Sequence, residues 1–302
     1  MGVIVIGSAN EDTAVSVHRH PGGGETVLGT LEGVGAGGKG LNQAVAAARA
    51  GAGTTFVGAV GGDEAGARLR STFAAEGVRT YLAMSGSVTG TAFVMVSDGG
   101  ENAIVVVPGA NQDAEALTRE SDAALGGIGA GDIVLAQLEI PVDVVFSAFR
   151  RSRSRGAVTV LNAAPSMSLP GEVLDVVDIL VVNEHECLEV AGGDRHDVRE
   201  AALALAGRVP TVIVTLGAKG ALLVSGGDST MVPAHPVEAV DTTAAGDTFC
   251  GALVARLSAG GELADALRFA SAAAALCVQR HGASASAPSA RETLEFLDAH
   301  SA

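Results

Sequence analysis

LNQAVAAARAGAGTTFVGAVGGDEAGARLRSTFAAEG, residues 41–77, changes its periodicity twice. Leu41 to Ala50 is Ala-rich and stops at Gly51; Thr55 to Val60 is a short apolar, β-branched run; Ala65 to Glu76 is helical again and stops at Gly77. Glycine is favoured just past a helix end because it adopts positive φ without a Cβ clash. Helix, buried strand and helix in this order predict a mostly parallel sheet covered by helices on both faces. The same kind of short apolar run recurs at Val3 to Ile6, Ile133 to Gln137, Val158 to Asn162, Ile179 to Val182 and Val212 to Thr215. The expected fold class is α/β.

Two regions break the alternation. Thr91 to Ser97, the turn Asp98-Gly99-Gly100 and Asn102 to Val107 read as a hairpin, and a second irregular strand-like stretch runs from Thr13 to Leu31. Asp-Gly supplies the positive φ angles that a tight turn needs. These regions, within 11–34 and 88–108, predict a small β-sheet lid over the C-terminal edges of the main strands. With no internal repeat and no linker, residues 1–302 read as one domain.

The balance of 34 acidic and 19 basic residues gives a formal charge of −15. That excludes generic nucleic-acid binding, which needs basic faces to displace counterions. The densest basic run is only Arg150 to Arg155. With no Trp, one Tyr and eight Phe, a base-stacking platform is also excluded. Apolar stretches such as Ala272 to Val278 are far shorter than a membrane span, and no basic leader precedes Val3. Cys187, Cys250 and Cys277 contain no C-x-x-C spacing, which argues against a disulfide framework or zinc site and for a reducing, cytoplasmic setting. Glycine accounts for 41 residues without a three-residue period, so it belongs to turns and ligand loops.

Two segments carry candidate chemistry. Gly33-Val34-Gly35-Ala36-Gly37-Gly38-Lys39-Gly40 approaches the phosphate-loop pattern, but Gly40 stands where a magnesium-binding Ser or Thr is needed. Gly35, Gly37 and Gly40 also fit dinucleotide spacing, the basis of an alternative NAD-binding oxidoreductase; no strong strand precedes them, and the next acidic residue, Asp63, comes late. What remains is a glycine run feeding a helix start, with Lys39 and Asn42 on its first turn.

The second segment begins with a strand expected over Pro236 to Val240. Asp241-Thr242-Thr243-Ala244-Ala245-Gly246-Asp247 follows, then an apolar helix from Thr248 to Leu257. Small residues at a helix start leave N–H groups free for an anion. Asp247 is either the N-cap of that helix or a general base beside an anion hole.

Gly7-Ser8-Ala9-Asn10-Glu11-Asp12, Gly37 to Ala44, Asn183-Glu184-His185-Glu186, Thr215 to Gly220 and Asp241 to Asp247, in this order and spacing, resemble the ribokinase branch of the PfkB carbohydrate kinases. The resemblance covers nearly the whole chain. It implies ATP-dependent phosphorylation of a sugar, D-ribose to ribose 5-phosphate as the leading case, with deoxyribose, fructose or a nucleoside as alternative acceptors. It makes Asp247 the base beside Ala244, Ala245 and Gly246, and assigns the sugar to Asn10, Asp12, Gly38, Lys39, Asn42 and Glu139. ATP falls to Asn183, Thr215, Leu216, Gly217, Ala218, Lys219, Gly220, Gly246 and Ser271. Glu186 would organise Mg2+ through water. Asp241, Thr243, Cys277, Arg280, Gly282 and Ser286 match a potassium site, most of whose contacts are backbone carbonyls. His281 and Ser284 fall in a variable loop beside it. The resemblance also implies a homodimer formed through the lid.

Overall fold

The computed structural model describes residues 2–193 and 195–300. Its strands, in chain order, are β1 (Val3–Ile6), β2 (Asn10–Val17), β3 (Gly29–Gly37), β4 (Thr54–Gly61), β5 (Arg79–Ser85), β6 (Gly90–Ser97), β7 (Asn102–Val107), β8 (Ile133–Ala136), β9 (Val158–Asn162), β10 (Ile179–Asn183), β11 (Thr211–Thr215), β12 (Ala221–Ser225) and β13 (Asp228–Val232). Nine form a sheet in the order β13-β12-β11-β10-β9-β8-β1-β4-β5. From β5 to β11 the pairing is parallel; β12 and β13 are antiparallel additions at one edge. The chain leaves β1 toward β4 and β5 and later returns on its other side at β8. The direction therefore switches between β1 and β8, where an open parallel sheet leaves a crevice beyond its strand ends.

Strand alternation explains why both faces are covered. Val212 and Val214 point into a core with Leu117, Phe149 and Leu205, whereas Ile213 points into the opposite core with Leu41, Phe73 and Leu253. The helices Lys39–Arg49, Glu64–Ala75, Ala245–Ser258 and Leu263–Cys277 cover the second face; Ala114–Ala124, Val142–Ser154 and Val198–Ala206 cover the first. Among the described residues no helix is long and apolar enough to cross a membrane. The basic run of the helix Val142–Ser154 is spent locally: Arg151 pairs with Asp122 and Arg153 with Asp178, while Arg155 donates to the carbonyls of Leu125 and Gly126.

The remaining four strands form a separate sheet, β3-β2-β6-β7. The expected irregular strand over Thr13 to Leu31 is corrected to two strands, because Pro21 and Gly22 to Gly24 break it into β2 and β3. β3 runs to Gly37, so most of the glycine stretch is strand. The expected strand at Pro236 to Val240 does not form. Pro233 and Pro236 lack donors, and Val240 and Asp241 instead donate to the carbonyl of Val278. The helix expected from Thr248 begins at Ala245, with Ala244 as its N-cap at φ 57°, so Asp247 lies inside the first turn and is not the cap.

Helices Lys39–Arg49 and Ala245–Ser258 approach closely at Gly251. A Cβ there would stand 2.6 Å from both the Gln43 carbonyl and Ala46 Cβ. Gly251→Ala is expected to cost about 1–3 kcal/mol through overpacking, seen as a lower midpoint with an unchanged slope in urea unfolding.

Candidate active site

Asp247 stands one turn before Gly251 on the same helix face, so the close approach delivers its carboxylate to the facing helix. Its oxygens accept from Asn42 Nδ2 at 3.0 Å and Gln43 Nε2 at 2.8 Å. Gln43 Nε2 also donates to Asn162 Oδ1 at 2.9 Å, and Gln43 Oε1 accepts from Gln137 Nε2 at 2.6 Å. Two amide donors orient both oxygens of a carboxylate that is 7% exposed. Each oxygen keeps a further lone-pair direction for a proton.

The N–H of Ala245 bonds the Thr242 carbonyl and that of Thr248 bonds the Ala244 carbonyl. Between them, the N–H groups of Gly246 and Asp247 have no acceptor. They border a cavity of about 220 Å3 lined also by Lys39, Asn162, Asn183, Glu186, Thr215 and Cys250. Unpaired donors at a helix N-terminus favour an anion. Left-handed Ala244, the sole non-glycine residue with positive φ among those described, turns the chain into this arrangement.

The other helix start is closed, which corrects the expectation that the glycine run offers free N–H groups. Lys39 N donates to Glu139 Oε2 at 2.9 Å, Gly40 N to Ser8 Oγ at 3.3 Å and Leu41 N to the Ser8 carbonyl at 2.9 Å. Gly38 at φ 88° and Gly40 permit this seating, since a Cβ on Gly40 would meet Ser8 N at 2.6 Å. Those donors are occupied, and the preceding strand belongs to the small sheet, so no dinucleotide turn exists here. Glu139 is not a free loop carboxylate: it also accepts from Ser8 Oγ.

Asn10 and Asp12 alternate with Glu11 along β2, so they share a face. Asn10 Oδ1 accepts from Asn111 Nδ2 at 2.7 Å. Asp12 lies against Gly37, where a Cβ would collide with its carboxylate. Burial, then the charges of Glu139 and Asp247, raise the Asp12 pKa to about 7. Asp12 Oδ1, Asn42 Oδ1 and Gln137 Oε1 are buried without partners. Three orphaned acceptors match the donors of a polyol. Half-buried Lys39 faces the same acids: burial opposes its charge, but Asp247, Glu139 and Glu186 together hold its pKa above the ordinary lysine value.

On the other side of the cavity, Asn183 and Thr215 are register partners at the ends of β10 and β11. Asn183 Oδ1 accepts from Glu186 N, and Glu186 Oε2 from Asn183 N, both at 2.8 Å, a reciprocal capping box. Burial raises the Glu186 pKa, and its Oε1 has no bond in this box. Leu216 to Gly220 form a tight turn closed by Leu216 N on the Gly220 carbonyl at 2.7 Å, with Ala218 and Lys219 in a single 3-10 turn. Ser271 is buried in Leu263–Cys277 and does not line the cavity.

The remaining predicted residues gather in two neighbouring loops. Asp241 accepts from Thr243 N at 2.9 Å and Gly282 N at 3.0 Å; burial works to raise its pKa, but these bonds outweigh it and hold the carboxyl below its ordinary value. Cys277 Sγ accepts from Thr248 Oγ1 at 3.3 Å and lies 3.1 Å from Ser286 Oγ. Arg280 turns away to pair with Glu292 at 2.6 Å. Among the described residues no three acidic, His or Cys side chains converge as a direct metal cage.

Ser8, Gln43, Asn111, Gln137 and Asn162 were given no role by the sequence reading. Gln137 and Asn162 carried a usable signal: each is polar at the C-terminal end of an otherwise apolar strand.

This fold, with a buried, amide-held carboxylate beside unpaired helix N–H groups, is that of a sugar kinase, and residues 2–290 match the model of the pfkB family carbohydrate kinases. The chain belongs to that family. It is 40% identical over 301 residues to the ribokinase of Haemophilus influenzae, covering 97% of each chain. The crystal structure of ribokinase from Thermotoga maritima superposes with a TM-score of 0.91 at 33% identity, covering 99% of each chain. Arabidopsis thaliana ribokinase complexed with ribose and ATP gives 0.83 at 34% identity, covering 98% of each. The chain is thus an ATP-dependent sugar kinase in class.

Asp12 provides a direct test of the site's electrostatics. A carboxyl whose folded pKa is raised to about 7 from 3.8 loses stability for the fold as pH climbs between those values. Asp12→Asn is therefore expected to be more stable than wild type above pH 7, by at most about 4 kcal/mol, with the gain vanishing toward pH 4. Chemical denaturation across this range checks it.

Proposed function

We propose that the chain transfers the γ-phosphoryl group of ATP to the 5-hydroxyl of D-ribose, with residues 1–302 acting as one catalytic unit. The observation that carries this is the buried, doubly oriented Asp247 carboxylate beside the unpaired N–H groups of Gly246 and Asp247. Ribose sits between Asn10, Asp12, Gly38, Lys39, Asn42 and Glu139, filling the orphaned acceptors with its hydroxyls. Asp247 accepts the 5-hydroxyl proton as the oxygen–phosphorus bond forms and the bond to the ADP oxygen breaks. The two N–H groups, with Ala244 and Ala245 shaping the turn, stabilise charge on the equatorial oxygens. Lys39 adds a positive charge beside Asp247.

The nucleotide lies along Asn183, Thr215 and the turn Leu216 to Gly220. The cluster of Glu139, Glu186 and Asp247 around Lys39 is too acidic to receive a triphosphate alone, so the donor set fits a hydrated divalent cation brought with it. Glu186, through its free oxygen, would hold that Mg2+ by way of water, and the ion supplies charge neutralisation between phosphates. Ser271 is buried outside the cavity lining, and its adenine role requires a nucleotide extending beyond that lining. Asp241 ties Thr243 to Gly282, and these loops, with the backbone at Cys277, Arg280 and Ser286, would take a potassium ion beside the anion hole. Arg280 is engaged with Glu292 and so brings no competing charge toward it.

The outer face of the small sheet supports a homodimer through the lid. Val34, Phe93 and Val105 form a cross-strand row through Thr13, and all three are exposed. Three buried, unpaired cysteines support a reducing, cytoplasmic setting.

ADP release from MgATP, measured with ribose, deoxyribose, fructose or adenosine in potassium or sodium, is expected to be fastest with ribose and potassium. Faster turnover of another acceptor would overturn the ribose assignment. Asp247→Ala should lower turnover by about 10²- to 10⁴-fold with ribose binding retained; equal turnover would remove the base assignment.

A further inference from the structure

Glu11 lies between the two sugar-facing residues of β2 and projects from the opposite face of the lid. Arg68, on the helix Glu64–Ala75 of the main layer, grips it in two-pronged fashion: Nε to Oε2 at 2.6 Å and Nη2 to Oε1 at 3.0 Å. The Glu11 side chain is only 16% exposed, that of Arg68 54%. Around this pair the lid and the helix pack only in part: Ala36 reaches the core that holds Leu69 and Phe73, and beside that contact the two layers stand apart. A cavity of about 470 Å3 separates Val34, Gly35 and Ala36 from Ala67, Ser71 and Thr72. Glu11–Arg68 therefore spans a gap that apolar contact leaves open.

The same helix is tied to the lid a second time, at its N-terminus. Asp63 caps the helix through Gly66 N at 2.8 Å, and accepts from Thr89 N at 2.8 Å and Thr89 Oγ1 at 2.5 Å. Thr89 is the residue before β6 and is buried. One tie, at the base of the lid, is half-buried on its Asp63 side and buried on its Thr89 side; the other is more exposed, about one turn further along the helix. An inner joint and an outer clasp on one rigid helix define an angle.

The angle matters because Asp12 follows Glu11 directly. In the present pose half-buried Asp12 lies with its carboxylate against Gly37 and its Oδ1 shielded from solvent, near enough to Glu139 and Asp247 to feel their charges, so the lid base lies over the acids. We propose that Glu11 and Arg68 form a latch holding the lid in the sugar-binding pose, making both of them positioning residues for the sugar and not for the nucleotide. This rests on the sugar kinase reading above. Binding to a closed pose weakens in proportion to the closed fraction. ATP, held along β10 and β11, is indifferent to it.

Steady-state kinetics of wild type, Arg68→Glu, Glu11→Arg and the double reversal, with ribose and with ATP varied in turn, test the latch. Each single reversal is expected to raise the ribose KM about five- to tenfold, since it replaces a two-pronged charged contact by repulsion. The ATP KM should stay within about twofold, and the double reversal should return the ribose KM to within about threefold of wild type. Raising ionic strength should raise the wild-type ribose KM and leave that of Arg68→Met flat, because the pair is partly exposed to screening. An unchanged ribose KM in both single variants, or a double reversal no better than the worse single, overturns the latch alone. A wild type that phosphorylates none of the sugars overturns the kinase reading and the latch with it.

Discussion

Everything at the catalytic centre depends on how near two helices can come. Gly251 lets Ala245–Ser258 press against Lys39–Arg49 at Ala46 and Gln43, a separation that any Cβ would widen. Because Asp247 is one turn away, this approach sets its distance to Asn42 and Gln43 and so its orientation. The polar chain then continues through Gln43 to Asn162 and Gln137 at the ends of β9 and β8. The Asp247 carboxylate is thus referenced to the main sheet as well as to its own helix. Gly7 serves the same end, since a Cβ there would displace the Gln137 side chain.

The two helix N-termini facing the crevice are used in opposite ways. At Lys39 the first N–H groups are satisfied by Glu139 and Ser8, which makes that end a rigid mount for Lys39, Asn42 and Gln43. At the helix beginning at Ala245, the N–H groups of Gly246 and Asp247 are left without acceptors among the described residues, which favours negative charge there. Glu139, Glu186 and Asp247 around one lysine hold the Lys39 charge firmly, while burial, helped by Glu139 and Asp247, pushes Asp12 toward neutrality. Such a centre receives a triphosphate only together with a cation. The chemistry of the nucleotide's metal is therefore implied by the acids, even though none of them forms a cage.

Much of the fold was legible in the chain. β1 and β9 fall where the apolar runs predicted, and the hairpin at β6 and β7 followed from Asp98-Gly99. Strand β5 and the antiparallel edge β12 and β13 escaped notice. β5 and β13 are mixed in polarity, because edge strands are covered less fully than central ones, whereas β12 was missed despite the apolar run Ala221 to Val224. Pro236 to Val240 misled by composition alone: its valines suggested a strand, but proline donors are missing and no neighbour is available for pairing. Of the motif residues, Lys39, Asn183, Glu186, Thr215 and Ala244 to Asp247 line one cavity, Asn42 reaches it through its bond to Asp247, and Ser271 lies outside the lining. Gln43 and Asn111 carried no signal of their own, since a buried amide on an Ala-rich helix or in a short turn has no periodic signature.

The sequence by itself determined the layered α/β plan, the separate small sheet and the chemical inventory, because periodicity and glycine placement are local properties that each segment carries with it. The tertiary structure decided which of those groups are occupied. Whether a helix start is mounted or open, whether Asp247 caps a helix or faces a substrate, and whether Glu11 meets Arg68 across a gap all depend on partners 32 to 205 residues away. Hydrogen bonding and charge act through distances in space, and only the packed fold sets those.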